Sequence, residues 1–262
     1  MITLAVWQSR SGALTETDNL ARIAAAAREA SARDADILVT PELAVSGYEP
    51  ARIAAEWTRE RSAAARLELS RIAREAGIAL VASLPLPTEE GTGWSIAALA
   101  FDADGVEQMA YRKAHLYGSD ERAAFAAGPA LPAVFTLCGT AVAVAVCYDI
   151  EFPELARHLA RAGAEILLVP TALATGDEFI PDTLVPTRAR ENLVAIAYAN
   201  STGPAGGVIL CGRSVIAGAD GQDLARAGAE ETLLLATIDP ARADAARANT
   251  PYLTDRRTDL YG

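Results

Sequence analysis

Apolar positions along the chain alternate between two periods. Residues 2–7 form a short, nearly continuous β-prone run, and Leu20, Ile23, Ala24 and Ala27 then recur at helical spacing. Thr15, with Asp18 three residues on, makes a capping-box pair that predicts where this helix begins. Residues 37–39 read as a compact strand ending at Thr40-Pro41. Residues 52–76, rich in Ala, Arg and Glu, read as one long helix closed by Gly77, the residue expected just past a helix end. Strands are predicted over 78–82, 94–101 and 106–112, the last two joined by a turn at Asp102-Ala103-Asp104-Gly105. The second half repeats the theme, with a strand at 141–146, a helix at 153–161, a strand at 166–169 and a helix at 188–193. Strands at 194–199 and 208–216 follow, and Asp220-Gly221 forms a hairpin turn before a strand at 233–238. Strands alternating with helices predict an α/β layered protein. No shift in composition marks a linker, and 89–93 reads as a loop, so a single domain is expected over 1–262.

Composition narrows the partners. The chain has 34 acidic and 23 basic residues, a formal net charge of −11, so nucleic-acid phosphate or an anionic membrane would repel it. The three cysteines, Cys138, Cys147 and Cys211, are too few and too scattered for a disulfide framework or a metal knuckle, and an odd count fits a reducing compartment. The first residues lack a basic segment and a small-residue cleavage site, which argues against a signal peptide. Apolar runs such as 140–146 fall well short of the roughly 18 residues a membrane helix needs. A soluble, cytoplasmic protein is expected.

Three short stretches each place a reactive side chain at the end of an apolar strand. They are Leu38-Val39-Thr40-Pro41-Glu42-Leu43, Tyr111-Arg112-Lys113-Ala114-His115-Leu116, and Ala145-Val146-Cys147-Tyr148-Asp149-Ile150-Glu151-Phe152-Pro153-Glu154. Strand ends hold side chains rigidly at the rim of a sheet, where open α/β proteins place their ligands. Each residue alone has an ordinary explanation. A cysteine after a Val/Ala strand is usually a small core residue, a glutamate after proline a helix start, a lysine at a strand end a solvated edge. Their joint occurrence points instead to a thiol nucleophile with a base and a cation.

In these stretches the chain resembles the nitrilase superfamily of carbon–nitrogen hydrolases. The similarity runs from Leu4-Ala5-Val6-Trp7-Gln8 to Pro251-Tyr252-Leu253-Thr254-Asp255, and its most specific element is the segment from Cys147 to Glu154. The resemblance implies a four-layer α-β-β-α sandwich that dimerises into an eight-layer block. It implies a Glu–Lys–Cys triad falling on Glu42, Lys113 and Cys147, and a second glutamate that falls on Glu121, with neighbouring Asp120 one residue out of register. It also implies an amidase that works through a cysteine thioester and needs no metal or organic cofactor.

These roles agree with elementary chemistry. A free thiol is only slightly ionised at neutral pH and needs a neighbouring base or cation. Glu42 can accept the thiol proton and later activate water, and Lys113 can supply positive charge. The oxyanion formed on attack needs fixed donors, for which Lys113 and the backbone N–H of Tyr148 are the natural pair. His115 could serve as a papain-like base for Cys147, but fits a hydrogen-bonded structural histidine better. His158 reads as structural too, Arg188, Arg190 and Glu191 as a salt-bridged scaffold or interface, and Cys138 and Cys211 as inert strand residues.

Within the superfamily, the segment after Cys147 and the stretch 251–257 resemble bacterial amidases, including 5-aminopentanamidase and stereoselective aliphatic or amino-acid amidases. N-carbamoyl hydrolases and ω-amidases remain alternatives, and a catalytically silent binding or scaffold protein is a third. An enzyme that passes its acyl group to an amine could coexist with hydrolysis. Asp149, Glu151, Asp177 and Glu178 are expected to flank the pocket, favouring small aliphatic amides that are neutral or carry a distal amine over those bearing a carboxylate. The competing expectation is that these carboxylates cap the 153–161 helix or form interface ion pairs.

Overall fold

The computed structural model describes residues 1–12 and 14–261, with only the backbone of Tyr261 described. The chain opens with β1 (Ile2–Gln8) and α1 (Glu16–Ala32), whose Thr15–Asp18 capping box is formed in both directions. β2 (Ile37–Val39) leads through a loop to α2 (Pro50–Glu56) and α3 (Arg59–Ala76), and α3 ends at Gly77 in the left-handed conformation. There follow β3 (Ala79–Pro87), β4 (Trp94–Phe101), β5 (Glu107–Arg112) and α4 (Gly118–Ala124). The second half contains β6 (Phe135–Leu137), β7 (Thr140–Val144), a 3-10 turn (Cys147–Glu151), α5 (Pro153–Arg161), β8 (Ile166–Thr171) and α6 (Val185–Asn192). It continues with β9 (Ala195–Asn200), β10 (Thr202–Ala205), β11 (Val208–Cys211), β12 (Val215–Ala217), β13 (Asp223–Arg226), β14 (Thr232–Ile238) and α7 (Pro240–Asn249).

The strands form two six-stranded sheets, ordered β14-β1-β2-β3-β4-β5 and β13-β12-β9-β8-β7-β6, with β10-β11 as a separate hairpin. In each sheet three adjacent strands are parallel, β1-β2-β3 and β7-β8-β9. These strands are buried along nearly their whole length, which explains their continuous apolar runs. One core contains Leu38, Val81 and Leu99 of the first sheet together with Val144, Leu168 and Ala197 of the second, so the sheets pack face to face. Helices α1 and α3 lie against each other, with α3 on β3. A second core joins α5 and α6 to the outer face of the second sheet through Leu155, Leu159, Val185 and Ala189 against Leu167, Val169 and Ile196. The result is a mixed α/β fold. Among the described residues no helix is long and apolar enough to cross a membrane.

The structure corrects several expected elements. The helix expected over 52–76 is two helices, broken where Trp57 turns extended. Thr58 caps the second through its side chain, and the Trp57 indole N–H donates to buried Ser62 Oγ at 2.8 Å. The strand expected over 208–216 breaks at Gly212 and Arg213, both with positive φ. A side chain at Gly212 would run into Gln8, because that residue's amide reaches across to hold Gly228 and Glu230. Residues 208–211 therefore pair with β10, and 215–217 join β9. The Asp220-Gly221 turn leads into the additional short strand β13. Cys138 lies in the turn between β6 and β7, exposed and with φ of 50°, rather than in a strand.

Candidate active site

Four of the five expected site residues have side chains that converge where the two sets of parallel strands end. Glu42 sits three residues past β2, with its backbone N–H donating to Thr171 O at the end of β8. That bond crosses from the first sheet to the second. Lys113 directly follows β5, and its backbone is pinned by Ile96 O and by the Gly128 N–H, at 2.8 and 2.7 Å. Only glycine fits at 128, because a Cβ there would lie 2.2 Å from Arg112 O. Cys147 opens the 3-10 turn beyond β7 with φ of 48°, and Leu43 beside Glu42 has φ of 51°. A non-glycine residue held in that region costs about 1–3 kcal/mol, which the packed surroundings must supply.

Lys113 is the centre of the cluster and is fully buried. Its Nζ donates to Glu42 Oε1 at 2.8 Å and to both oxygens of Glu121 at 2.9 Å. Glu121 comes from α4, buried to 1% exposure, and also accepts from Tyr48 OH and the Tyr117 backbone N–H, each at 2.8 Å. Asp120, the alternative second carboxylate, is exposed and accepts from Ser119 Oγ, not from Lys113. Glu42 Oε2 has no hydrogen-bond partner among the described residues and lies beside the Cys147 thiol.

Burial and charge set the protonation states. Burial, only partly offset by Lys113, pushes Glu42 up to about 7. Burial alone would make Lys113 easier to deprotonate, but Glu42, Cys147 and Glu121 together hold it firmly as an ammonium. The Cys147 thiol is pushed well up by burial and then by Glu42, against which Lys113 and the Ala172 backbone N–H pull down. The resting thiol therefore carries its proton, next to a carboxylate placed to receive it.

The thiol opens into a cavity of about 310 Å³ lined by Tyr48, Tyr117, Tyr148, Leu173 and Ile180, with the carboxylates of Asp120, Glu151 and Asp177. No lysine, arginine or histidine is among its lining residues. Burial, then Asp177, raises Glu151 to about 7. Tyr148 contributes its ring to the wall, edge-on to Tyr117 and Phe152. No group of three or more His, Cys, Asp or Glu side chains among the described residues is placed to hold a metal ion.

Two of the four expected pocket carboxylates are elsewhere. Asp149 is fully buried and spent on internal hydrogen bonds, accepting from Tyr111 OH, Val146 N–H, His115 N–H and His115 Nδ1. Glu178 accepts from Gly176 N–H outside the cavity. His115 stacks on Phe152 at 4.0 Å and is directed to Asp149. Arg188 is a buried scaffold residue: its guanidinium donates to Ile150 O, Glu151 O and Glu191, pinning the end of the cysteine turn. Tyr48 was not expected at the site. Its hydroxyl reaches Glu121 over 73 positions of sequence, a pairing no local pattern signals.

The family model for carbon-nitrogen hydrolases matches residues 3–248. A protein from Pseudomonas protegens, named a hydrolase in the pqqF 5′ region, is 38% identical over 98% of this chain and 90% of its own. The 2-oxoglutaramate amidase of Bacillus subtilis is 31% identical over 89% of each chain. Among solved structures, an amidase from Nesterenkonia sp. AN1 matches with a TM-score of 0.91 and 40% identity, covering 100% of this chain and 98% of that one. It is a mutant described as carrying acrylamide added at its active-site cysteine. Another mutant of the same amidase, in complex with butyramide, matches equally well, at 41% identity over 99% and 95% of the two chains.

Proposed function

The chain belongs to the carbon–nitrogen hydrolase family of the nitrilase superfamily and is an amidase, and on that premise we propose that it hydrolyses small aliphatic amides through a thioester on Cys147. The observation that carries the proposal is the buried Glu42–Lys113–Glu121 cluster beside a protonated thiol at a cavity floor. Glu42 takes the Cys147 proton as sulfur attacks the amide carbon and a C–S bond forms. Lys113 Nζ and the Tyr148 N–H, near the start of a 3-10 turn where backbone donors lack partners, receive the oxyanion. Glu42 returns the proton to nitrogen, the C–N bond breaks and ammonia leaves. Glu42 then deprotonates water, which attacks the thioester carbon; the C–S bond breaks, the carboxylic acid leaves and Glu42 returns the proton to the Cys147 sulfur. Glu121 keeps Lys113 charged and aimed. An ammonia-release panel over aliphatic, ω-amino, amino-acid and aromatic amides, with nitriles and N-carbamoyl compounds as controls, tests the assignment. Turnover confined to the controls would dismiss it.

The substrate class follows from the cavity's charge. With Glu151, Asp177 and Asp120 along the wall and no cation but the engaged Lys113, a carboxylate on the substrate is disfavoured and an amine tolerated or favoured. We expect kcat/KM to rank 5-aminopentanamide at or above pentanamide, and both above glutaramate. If glutaramate is best, the electrostatic basis is wrong and the enzyme sits with amidases of acid amides, as the name of its Bacillus relative would suggest. The ranking should depend on pH in a defined direction. Glu151, raised to about 7, is neutral below that value and gains its charge as pH rises through it. An alkylammonium stays protonated throughout, at about 10. The preference for 5-aminopentanamide over pentanamide should therefore grow between about pH 6 and 8, and Glu151→Gln should flatten it. The pentanamide profile alone should keep an acid limb near 7 in both proteins, since Glu42 must be ionised to act as base.

We also propose that the chain is one hydrolase domain built as a four-layer α-β-β-α sandwich that pairs across a two-fold axis through α5 and α6. Such isologous contacts are the commonest form of soluble oligomer. Light scattering at micromolar concentration should give a dimer or a larger even-numbered assembly, and a monomer would count against the pairing.

A further inference from the structure

The lysine and the cysteine come from different sheets, Lys113 after β5 of the first and Cys147 after β7 of the second. The charge cluster links Lys113 to Glu42 and Glu121 and reaches the second sheet through the Glu42 N–H bond to Thr171 O, without joining the lysine segment to the cysteine segment directly. The direct bonds between the two segments run through Asp149. Its Oδ2 accepts from Tyr111 OH at 2.8 Å and from Val146 N–H at 3.1 Å; its Oδ1 accepts from His115 N–H at 3.0 Å and faces His115 Nδ1 at 2.8 Å. A carboxylate can only accept, so Nδ1 carries the proton. Tyr111 OH in turn accepts the Ala114 N–H at 3.1 Å, and the His115 ring lies on Phe152. Lys113 is thus held from both sides, by residues two before and two after it, onto a carboxylate two residues beyond the nucleophile.

We propose that Asp149 is a positioning residue which, through Tyr111 and His115, fixes where Lys113 stands relative to Cys147. This rests on the assignment of those two residues as the reaction centre. Misplacing a reacting group by about 1 Å can cost on the order of a hundredfold in rate. The loss falls on kcat, because Tyr111, His115 and Asp149 are not among the residues that line the cavity.

Asp149→Asn places an amide against donors and could prevent folding, so the test uses the two ends of the clamp. Tyr111→Phe deletes one oxygen, and His115→Ala deletes the side-chain bond and the ring contact. His115→Asn restores a donor at the position of Nδ1. With pentanamide as substrate, Tyr111→Phe and His115→Ala should each lower kcat about tenfold or more with KM within about twofold, and His115→Asn should recover most of the loss. The proposal is overturned if kcat in both deletions stays within about twofold of the parent, or if His115→Asn is as impaired as His115→Ala. Cys147→Ala, assayed in parallel, separates the two levels. Ammonia release there would dismiss the reaction centre, whereas an inactive Cys147→Ala beside unimpaired clamp variants would dismiss the clamp alone.

Discussion

Cys147→Ala is expected to fold like the parent and to release no detectable ammonia from any amide, while Cys138→Ser and Cys211→Ser remain active. Alanine keeps the Cβ, so the left-handed backbone at 147 is strained to the same degree and fold stability should change little. Deleting a nucleophile costs on the order of 10⁶ in kcat where it has been measured in a triad enzyme. The other thiols lack the surroundings on which the proposed role of Cys147 rests. Cys211 is raised to about 11 by burial, and Asn200 Nδ2 is its side-chain contact. Cys138 is exposed in a turn, raised by partial burial and Asp36. Neither stands in the fully buried cluster, where the Glu42 carboxylate lies beside Cys147 with one buried oxygen, Oε2, left without a partner among the described residues. Mass spectrometry after incubation with a slow amide should find the acyl adduct on Cys147. An active Cys147→Ala protein would sink the mechanism.

Lys113→Met should be inactive and also markedly less stable. The substitution leaves Glu42 and Glu121 facing each other in a dry interior, and stripping one partner from a buried ionic group costs about 3–5 kcal/mol. Part of that loss should be relieved by proton uptake. Without the ammonium, Glu42, already raised by burial, is raised further above its unfolded value, so the variant's stability should fall as pH rises through neutrality and recover as pH drops. Adding Glu121→Gln should return stability without returning activity, because one of the two competing charges goes while the oxyanion donor is still missing. Urea denaturation at pH 6 and 8 measures both effects. A single variant as stable as the parent at both pH values, or a double variant that regains turnover, would show that Lys113 does not play this part.

The central strands were legible because burial on both faces wrote them as unbroken apolar runs, and α1, α3 and α5 because their caps are local: Thr15, Gly77 and Pro153 each act within a few residues. Glu42, Lys113 and Cys147 could be picked out as a group because each stands in a distinctive short context, whereas Glu121 is reached only through the family resemblance, with Asp120 beside it. What sequence could not show were decisions made at a distance. The break at Gly212 depends on Gln8 more than 200 positions away, and the break at Trp57 on Ser62, whose hydroxyl is itself held by Pro85 O from 23 positions further on. Asp149 illustrates the same limit. Its position beside the nucleophile suggested an acid facing substrate, and only the arrival of Tyr111 and His115 from the other sheet turns it inward. Four short elements, β6, β10, β13 and α4, carry too few residues for a period to declare itself.

The first sheet is closed by β14, whose residues 232–238 pair antiparallel with 2–8. A ribosome makes β1 first and must finish all of the second sheet before β14 emerges. Through that interval the β1 edge, almost wholly apolar, offers an open row of backbone donors and acceptors to any other strand it meets. Nascent chains or premature stops that end before residue 232 should therefore be holdase clients and aggregate when unattended, although they already contain every residue of the proposed reaction centre.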